Sequence, residues 1–505
     1  MIEIKRALIS VSSKEKLLEL CKALQKFNVE IIATSNTCSF LKEKGIEAIH
    51  VSKYTSFPEI INGRVKTLHP KIFGGILARR ERDEILEINK YGIGKIDLVC
   101  VNLYPFEKVS REIDNEGLLL DEIDIGGVAL LRATAKNYKE TVPIPDPCHY
   151  DEVISELTKN NGSISESLSF RLMKRTFLLT SLYDATIFSK FSSLSGEEVD
   201  FRFWKKVANL RYGENPHQSA SYWTLFPLGD SLILGTKQLH GKELSYNNIL
   251  DTSSGLDLID EFEKSACSII KHTNPCGVSE AENIEEAYFN AYESDPISAY
   301  GGIYLFNREV TIEIAKHLDS LFVEVICAPS YSEEALNLLS YKKNLRILKK
   351  ISNESPKNEF RSVRDGVLLQ YKDDKLFSEI KVWAYETISK ERMEEIVFGL
   401  KVVKHVKSNA IVITRNKRTF GIGCGQPNRV LSAKIALTKA GNNAEGAILV
   451  SDGFIPFKDT IEEAEKFGIR YVVEPGGSVR DMEVIDEAKK KNIILIFTGI
   501  RHFLH

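Results

Sequence analysis

The chain lacks the features that mark membrane, secreted and polyanion-binding proteins. Its longest apolar stretches, such as 493–497, are far shorter than a membrane span, and residues 1–6 lack the apolar core of a signal peptide. Its eight cysteines include no C-x-x-C pair, which argues against a disulfide framework and a zinc knuckle. A net charge of −3 indicates no basic surface for nucleic acid or an anionic membrane. We therefore expect a cytoplasmic protein with reduced cysteines.

The length and composition predict several domains of ordinary globular type. A chain of 505 residues is too long for one hydrophobic core, and 43% hydrophobic with 27% charged residues is typical of soluble proteins. Helical and extended patterns alternate towards the C-terminus, which predicts α/β layering. Residues 186–205 carry the small polar residues of a linker. We place the boundary there, with domains at 1–198 and 199–505.

The first forty residues predict a strand, a loop and a helix that together could bind an anion. The apolar run 7–11 reads as a buried strand, 12–15 fits a capping box, and 16–27 is amphipathic. The N–H groups at the helix start would face an anion together with nearby polar side chains. These are Ser10, Ser12 and Lys14. A simple helix cap explains the same residues equally well.

Arg64 and Lys66 are a second candidate for anion binding. The two residues alternate, so on an extended segment they would share a face and could hold one phosphate from two sides. A solvated basic face is the alternative.

A lysine and a histidine stand together where the apolar run 266–270 ends. Lys271 and His272 precede an Asn-Pro turn, which would display both side chains at the carboxyl end of a strand. A similar Lys404–His405 pair follows another apolar run, which suggests an internal repeat or a chance recurrence of the dipeptide. The pattern alone leaves open which pair is catalytic and whether either histidine is merely structural.

Eight motifs, in order along nearly the whole chain, resemble the bifunctional AICAR transformylase/IMP cyclohydrolase family of purine biosynthesis. They are Gly63–Pro70, Asp124–Ala133, Arg211–Gln218, Lys271–Gly277, Ser294–Gly301, Lys407–Asn409, Gly423–Arg429 and Ser451–Phe457.

The resemblance implies the fold and a two-step reaction. The fold is an N-terminal methylglyoxal-synthase-like Rossmann α/β domain followed by two cytidine-deaminase-like α/β units. The C-terminal domain would transfer a formyl group from 10-formyltetrahydrofolate, a co-substrate, to AICAR. The N-terminal domain would close the product, FAICAR, to IMP with loss of water. The family also implies a homodimer whose transformylase site is shared between two subunits.

For formyl transfer, the resemblance assigns the proton to His272, the developing negative charge to Lys271 and substrate orientation to Asn409. Imidazole is suited to proton transfer near neutral pH, and an ammonium group stabilises an oxyanion. The substrate-binding residues carried over are Arg211, Tyr212, Gly301, Glu324, Phe454 and Arg501. The folate-binding residues carried over are Ile297, Tyr300, Arg429, Pro456 and Asp459.

For ring closure, the resemblance assigns four catalytic residues in the N-terminal domain. They are Lys66, Tyr104, Asp124 and Lys136. The substrate-binding residues carried over are Ser10, Ser12, Lys14, Thr34, Thr37, Arg64, Thr67, Gly126 and Gly127.

Three sequence details qualify this assignment. The family has Ser-Thr-Gly-Gly-Thr where this chain has Ala33–Thr37, and because glycine takes positive φ readily, we expect altered phosphate binding here. The run Pro275–Ser279 lacks the second cysteine of a deaminase zinc site, so no zinc is expected. The run Gly421–Gly425 is not G-x-G-x-x-G, so no nicotinamide cofactor is expected.

Two other functions stay open from the sequence. One is a monofunctional transformylase whose N-terminal domain only binds nucleotide, suggested by Ala33–Thr37. The other is a folate- or nucleotide-binding scaffold, against which the joint presence of Lys271, His272 and Asn409 argues.

Overall fold

The computed structural model describes residues 1–196, 199, 201–225, 233, 235–352, 356–384 and 387–505. The chain forms two compact units, Met1–Phe201 and Arg202–His505. The boundary proposed at residue 198 lies outside the described residues. None of the helices in the described ranges combines the length and apolarity needed to cross a membrane.

The N-terminal unit is built on a five-stranded parallel sheet with the order β4-β3-β2-β5-β6. The described strands are β1 Ile2–Glu3, β2 Arg6–Val11, β3 Glu30–Ala33, β4 Ile49–His50, β5 Leu98–Asn102, β6 Val142–Ile144 and β7 Ser163–Ile164. The chain proceeds from β2 to one side of the sheet and from β5 to the other. The order therefore reverses between β2 and β5, and parallel α/β sheets bind ligands at the carboxyl ends of such strands.

Helices cover both faces of this sheet, and each face has its own hydrophobic core. They are α1 Leu17–Lys26, α2 Ser35–Glu43, α3 Val51–Thr55, α4 Pro70–Leu77, α5 Arg82–Lys90, α6 Phe106–Ser110, α7 Glu116–Asp121, α8 Ile125–Lys136, α9 Tyr150–Lys159 and α10 Glu166–Ser195.

Two local predictions in this unit need correction. The first part of the expected 186–205 linker is helical, as far as Ser195, because Ile187 and Phe191 pack against the buried Phe106 and so hold α10 in place despite its small polar residues; the division between the two units falls in the second part. The capping box at 12–15 is absent, since α1 begins at Leu17. The Ser12 hydroxyl instead donates to the carbonyl of Leu103, at 2.9 Å.

The C-terminal unit contains a twelve-stranded sheet and two separate hairpins. Its described strands are β8 Trp204–Leu210, β9 Ala220–Leu225, β10 Thr236–His240, β11 Ser265–Lys271, β12 Asn274–Ala281, β13 Ile303–Phe306, β14 Val325–Ala328, β15 Arg346–Lys350, β16 Asn358–Val363, β17 Gly366–Tyr371, β18 Lys381–Trp383, β19 Ile411–Arg415, β20 Arg418–Gly423, β21 Ile448–Ser451, β22 Tyr471–Glu474 and β23 Ile494–Phe497. Its helices are α11 Tyr246–Ile259, α12 Ile284–Ser294, α13 Pro296–Ala299, α14 Ile312–Ser320, α15 Glu333–Ser340, α16 Lys390–Val403, α17 Arg429–Ala440, α18 Asp459–Lys466 and α19 Asp481–Lys490.

The large sheet is an internal duplication. Its order is β10-β15-β14-β13-β11-β12 in one half and β18-β23-β22-β21-β19-β20 in the other. Each half has an antiparallel hairpin, then three mutually parallel strands, then an antiparallel edge strand. The halves meet where β12 pairs with β20. α11 and α16 contribute to a core shared by both halves, and the other face carries one core for each half.

The similar Lys-His pairs are not equivalent positions in this duplication. Lys271 ends β11 at a hairpin turn, whereas Lys404 and His405 follow helix α16. Lys404 is buried and its ammonium lies 2.6 Å from a carboxylate oxygen of Glu261, while His405 Nε2 lies 3.2 Å from the same oxygen. Burial alone would raise the pKa of Glu261, but hydrogen bonds from His405 and Lys404 lower it to about 2. His405 therefore has a structural role, which is to stabilise the carboxylate of Glu261 together with Lys404.

This ion pair predicts the acid stability of the C-terminal unit. The ordinary pKa of a glutamate is near 4.5, so the stabilisation is fully present above that pH and is lost as pH falls towards 2. Glu261→Gln leaves the buried Lys404 charge without its carboxylate, with only the Asp373 carbonyl among the described residues as acceptor, and we expect a loss of about 3 kcal/mol in unfolding free energy at pH 7. The loss should shrink between pH 4.5 and 2, measured by urea unfolding followed by circular dichroism.

The control is Glu263→Gln, an exposed glutamate two residues away. Equal pH dependence in the two variants would contradict the structural role of the ion pair.

Candidate active sites

The first candidate site lies where the sheet order of the N-terminal unit reverses. Asn102, the last residue of β5, accepts hydrogen bonds through Oδ1 from the backbone N–H groups of Ser12 and Ser13, at 2.6 and 2.9 Å. The loops that follow β2 and β5 are thereby tied together. Tyr104 lies two residues after Asn102 and is 47% exposed, so its side chain is available to a ligand.

Two ammonium groups and a helix start make this crevice electropositive. Lys14 donates to the Thr37 hydroxyl at 3.1 Å, next to the first turn of α2. Thr34 precedes α2 but does not cap it, because its hydroxyl donates to Ser10 at 3.2 Å. Burial lowers the pKa of Lys14, and the charge of Lys66 lowers it further. Two cations close together beside the N-terminus of a helix suit an anion such as phosphate.

The departure from the family's glycines does not strain this loop. Ser35 and Asn36 are the first two residues of α2, and no residue of 33–37 has positive φ. The Ser35 hydroxyl lies 3.2 Å from His50 Nε2. The backbone reason for expecting altered phosphate binding is therefore wrong, since right-handed helix suits serine and asparagine without a glycine.

Asp124 is the N-cap residue of α8, and Gly127, Lys66 and Tyr104 interact with its carboxylate. Its carboxylate accepts from the N–H of Gly127 at 2.7 Å. Burial raises the pKa of Asp124, while hydrogen bonds from Gly127 and Tyr104 and the charge of Lys66 oppose that rise. A Cβ on the neighbouring Gly126 would stand 3.0 Å from the Thr67 hydroxyl, so glycine permits a close approach there.

Lys136 and Arg64 have surroundings different from those of the other predicted residues of this unit. Lys136 is the last residue of α8, so twelve helical residues, or about 18 Å of helix, separate it from Asp124. Arg64 is exposed and pairs with Asp121. The idea that Arg64 and Lys66 share the face of an extended segment is wrong, because residues 61–64 form a turn closed by a bridge between Ile60 and Val65.

The second candidate site is the tip of the hairpin β11–β12. His272 and Thr273 have φ of 55° and 60° and form a two-residue turn of the kind that matches strand twist. The Asn-Pro turn expected from sequence is wrong: Pro275 lies inside β12, opposite Ile270. The ladder is irregular there, as expected for a residue without an N–H.

Asp251, on helix α11, holds this turn in place. No motif in the sequence pointed to it. Its carboxylate accepts from the backbone N–H of His272 at 3.2 Å and of Thr273 at 2.7 Å. Burial raises the pKa of Asp251, although these hydrogen bonds and the charge of His272 act against the rise. The His272 ring makes no hydrogen bond to the residues that the structure describes, and the side chain is exposed. It is therefore free to meet a substrate.

Lys271 connects the hairpin to residues expected to bind folate. Its ammonium donates to the carbonyl of Tyr300 at 2.8 Å. Gly301 follows with φ of 71°, and its N–H donates to Phe322. Tyr300 and the 88% exposed Ile297 present apolar surface beside Lys271.

Asn409 is joined to the same hairpin through Asn274. The N–H of Lys407 donates to Asn274 Oδ1 at 3.0 Å. The Asn409 amide donates to the carbonyl of Gln426 and accepts from Arg429, each at 2.8 Å. These two bonds fix the orientation of the amide and leave it one N–H and one lone pair for a ligand.

Arg429 is an interior residue in this structure. Its guanidinium is buried, pairs with the fully buried Asp452 and donates to the Ser451 hydroxyl at 2.8 Å. It therefore positions Asn409 and is not displayed in an open folate pocket.

The remaining predicted residues lie on other loops of the C-terminal unit. Arg211 and Tyr212 are on the β8–β9 loop, with the guanidinium 5.4 Å from the ring centre. Arg501 lies 4.4 Å from the ring centre of Phe503. Glu324 pairs with Arg346 at 2.6 Å, which ties β14 to β15. Phe454 and Pro456 lie in the segment between β21 and α18, and Asp459 is the first residue of α18.

Two family models and several close relatives match the chain. The MGS-like domain model covers residues 16–129, and the AICARFT/IMPCHase bienzyme model covers residues 134–439. Proteins named bifunctional purine biosynthesis protein PurH are 46% identical in Caldicellulosiruptor saccharolyticus, 46% in Halalkalibacterium halodurans and 45% in Persephonella marina. Each alignment covers 99% of this chain and 100% of the relative.

The chain belongs to the AICARFT/IMPCHase bienzyme family.

Membership of the AICARFT/IMPCHase bienzyme family confirms the resemblance drawn from the motifs. It also confirms the α/β class and an MGS-like domain at the N-terminus, which contains the crevice between β2 and β5. That the two halves of the large sheet are cytidine-deaminase-like units stays a prediction.

The hairpin of this family member offers a direct structural test. Asp251→Asn replaces one of two carboxylate acceptors by an N–H donor, which cannot accept from His272 or Thr273. We expect amide hydrogen exchange at these two residues to quicken roughly tenfold, the effect of losing a hydrogen bond to a charged group. Mass spectrometry of peptides spanning the turn measures the change.

The matched control is Asp257→Asn on the same helix, a residue paired with Lys372 at 2.6 Å. If exchange at the turn is as slow in Asp251→Asn as in this control, Asp251 does not hold the turn.

Proposed function

We propose that this protein catalyses two successive reactions: formyl transfer from 10-formyltetrahydrofolate to AICAR, and dehydrative closure of the resulting FAICAR to IMP. One observation carries the proposal. A single chain, matched over 99% of its length by bifunctional relatives, joins Lys271, His272 and Asn409 in one cluster and surrounds an electropositive crevice with Lys66, Tyr104 and Asp124 in the other unit.

Formyl transfer requires help with one proton. The 5-amino nitrogen of AICAR is conjugated with its ring and must lose a proton as it attacks the formyl carbon. His272 stands at the exposed tip of the hairpin and accepts this proton. The new N–C bond forms, the bond from carbon to folate N10 breaks, and the proton is passed to N10. His272 thereby acts first as base and then as acid.

The negative charge of the tetrahedral intermediate falls to Lys271. Its ammonium is held at the Tyr300 carbonyl and has two further N–H donors for the oxyanion. Asn409 orients the AICAR carboxamide with its remaining N–H and lone pair. Arg429 and Gln426 hold the amide still, so the substrate meets a prearranged partner.

Ring closure uses the N-terminal crevice. The carboxamide nitrogen attacks the formyl carbon, Lys66 and Tyr104 donate to the oxyanion, and Asp124 takes the amide proton. The new hydroxyl then leaves as water when the C–O bond breaks and the formamide nitrogen gives up its proton, which forms the C=N bond of the ring. Burial raises the pKa of Asp124, which makes its carboxylate a stronger base. Lys14 and the N-terminus of α2 bind the phosphate. Lys136, at the far end of α8, has no part in this proposal.

The monofunctional alternative is not favoured. It depended on a damaged phosphate loop, and residues 33–37 lead from β3 into α2, which begins at Ser35, without positive φ. Near these residues, the positive charges of Lys14 and Lys66 repel each other, an arrangement that a bound anion would stabilise.

A second copy of the chain is proposed to cover the hairpin β16–β17. All six residues of β17 are exposed, and the consecutive Val367, Leu368 and Leu369 place apolar side chains on both faces. A two-stranded ribbon alone is marginally stable in water, so a partner surface is expected. Leu368 and Leu369 also line a cleft with Leu250 of α11, the helix that carries Asp251. A partner seated there would complete the transformylase site. We place the dimer in the cytoplasm, on the basis of its substrates.

Two single variants should separate the two reactions in the full-length protein. The unaltered protein, given AICAR and 10-formyltetrahydrofolate, should release tetrahydrofolate and form IMP. His272→Ala should lose at least about 100-fold in formyl transfer, the usual contribution of a general base, yet convert added FAICAR to IMP. Lys66→Ala should make FAICAR and let it accumulate. Absorbance reports tetrahydrofolate, and chromatography separates FAICAR from IMP.

His405→Ala, the other Lys-His position, should transfer formyl groups within a few-fold of the unaltered rate. Normal formyl transfer by His272→Ala, or loss of both reactions in either variant, contradicts the assignment of two separate sites.

The proposed interface predicts a monomeric variant. Leu368→Asp should dissociate the dimer, since a buried unpaired charge costs several kcal/mol, and should lose formyl transfer while it retains cyclisation. Light scattering after size exclusion gives the mass. Tyr341→Asp, at another exposed position, should remain dimeric. A dimeric Leu368→Asp would show that this hairpin is not the interface.

A further inference from the structure

Glu474, the last residue of β22, is a fully buried acid with an incomplete set of hydrogen bonds. Its side chain is 0% exposed. One carboxyl oxygen, Oε2, accepts from the backbone N–H of Ile455. The other, Oε1, has no hydrogen-bond partner among the described residues. A carboxylate seldom tolerates such surroundings, whereas a neutral carboxyl does.

The charged groups near Glu474 cannot neutralise it. Asp481, on α19, accepts from the N–H groups of Gly477 and Ser478, both at 2.8 Å, and adds negative charge. Arg429, on α17, is already bound to Asp452. Burial raises the pKa of Glu474 to about 8; Asp481 contributes to the rise, and the Ile455 N–H and Arg429 oppose it.

Among the described residues, the one hydrogen-bond partner of the Glu474 carboxyl group lies in the segment Gly453–Phe457, between β21 and α18. Ile455 is fully buried and serves as its anchor. Its neighbours in the segment are Phe454, which is 38% exposed, and the partly buried Pro456. These neighbours are the residues proposed to contact nucleotide and folate.

Ionisation of Glu474 would force a change at the transformylase site. A buried negative charge must be solvated or paired. Either water enters beneath Ile455, or Arg429 turns from Asp452 and Asn409 towards Glu474. The first loosens the segment Gly453–Phe457, and the second releases the Asn409 amide.

We propose that Glu474 is a positioning residue whose proton keeps the segment Gly453–Phe457 in its binding shape, so that the transformylase site loses affinity for its substrates when Glu474 ionises. The proposal rests on the proposed function of Phe454 and Pro456.

The test compares the unaltered dimeric protein with Glu474→Gln, which has nearly the same shape and stays neutral at every pH. We expect the KM values for AICAR and 10-formyltetrahydrofolate in the unaltered protein to rise above pH 8, by up to about tenfold per pH unit, because one proton is linked to binding. In Glu474→Gln they should stay within about twofold from pH 7 to 9.5. The pH profile of kcat should be the same in both.

Glu487→Gln is the matched control, a second buried glutamate, on α19. It should keep the pH dependence of the unaltered protein. An active Glu474→Gln whose KM values rise with pH like those of the unaltered protein overturns the proposal.

Infrared spectroscopy tests the proton without turnover. The unaltered protein at pH 7 should show the carbonyl band of a protonated, buried carboxyl group, which should fade between pH 7 and 9 and be missing in Glu474→Gln. If that band is absent at pH 7, the proposal fails whether or not the enzyme is active. If Glu474→Gln does not fold, loss of AICAR binding by the unaltered protein in parallel with the band still supports the proposal, and unchanged binding refutes it. Loss of all turnover with an intact band would count against the proposed function alone.

Discussion

The buried ion pair between Arg429 and Asp452 is the interaction on which the transformylase site depends. Both side chains are inside the protein, where each charge alone would cost several kcal/mol. The cost is offset because their remaining hydrogen-bonding groups are also used: Asp452 accepts from the Ser408 hydroxyl at 2.5 Å, and Arg429 donates to Ser451 and Asn409. One interaction thus joins α17, the end of β21 and the segment that carries Asn409. Glu474 is buried near this ion pair and, within the described part of the chain, has no cation of its own, because Arg429 is already paired with Asp452.

The duplicated sheet explains how a symmetric backbone carries an asymmetric site. Asp251 is the sixth residue of α11 and accepts from the turn His272–Thr273; Glu395 is the sixth residue of α16 and accepts from the N–H of Asn416, at 2.8 Å. Both hairpin turns have positive φ at their two central residues, and in each a helix carboxylate accepts from a backbone N–H of the turn. Support by a helix carboxylate is therefore a property of the repeat. The two turns differ in their side chains: only the first carries a histidine, which is the proposed proton acceptor.

Much of the fold and of the sites could be predicted from local patterns. The motifs identified the family, and the apolar runs 266–270 and 493–497 fall on strands β11 and β23. Errors arose where distant residues decide the local structure. The capping box predicted at 12–15 does not form, because the Ser12 hydroxyl instead donates to Asn102 Oδ1 and to the carbonyl of Leu103, at the end of β5. The first part of the predicted 186–205 linker is helix as far as Ser195, because Ile187 and Phe191 pack against Phe106. The sequence left open which of the two Lys-His pairs is catalytic, and the Glu261 carboxylate beside Lys404 and His405 gives that pair a structural role.

By itself, the sequence determined the family, the α/β class and which residue types are present for chemistry, since these depend on composition, periodicity and motifs along the chain. Tertiary structure alone decided which of two Lys-His pairs is free, that Asp251 holds the reactive turn, that Arg429 faces inward and that Lys136 stands apart from Asp124. The physical reason is that burial, charge and hydrogen bonding depend on neighbours that are far away in sequence. No local pattern encodes the partner of a side chain, and the partner decides whether that side chain stabilises the fold or meets a substrate.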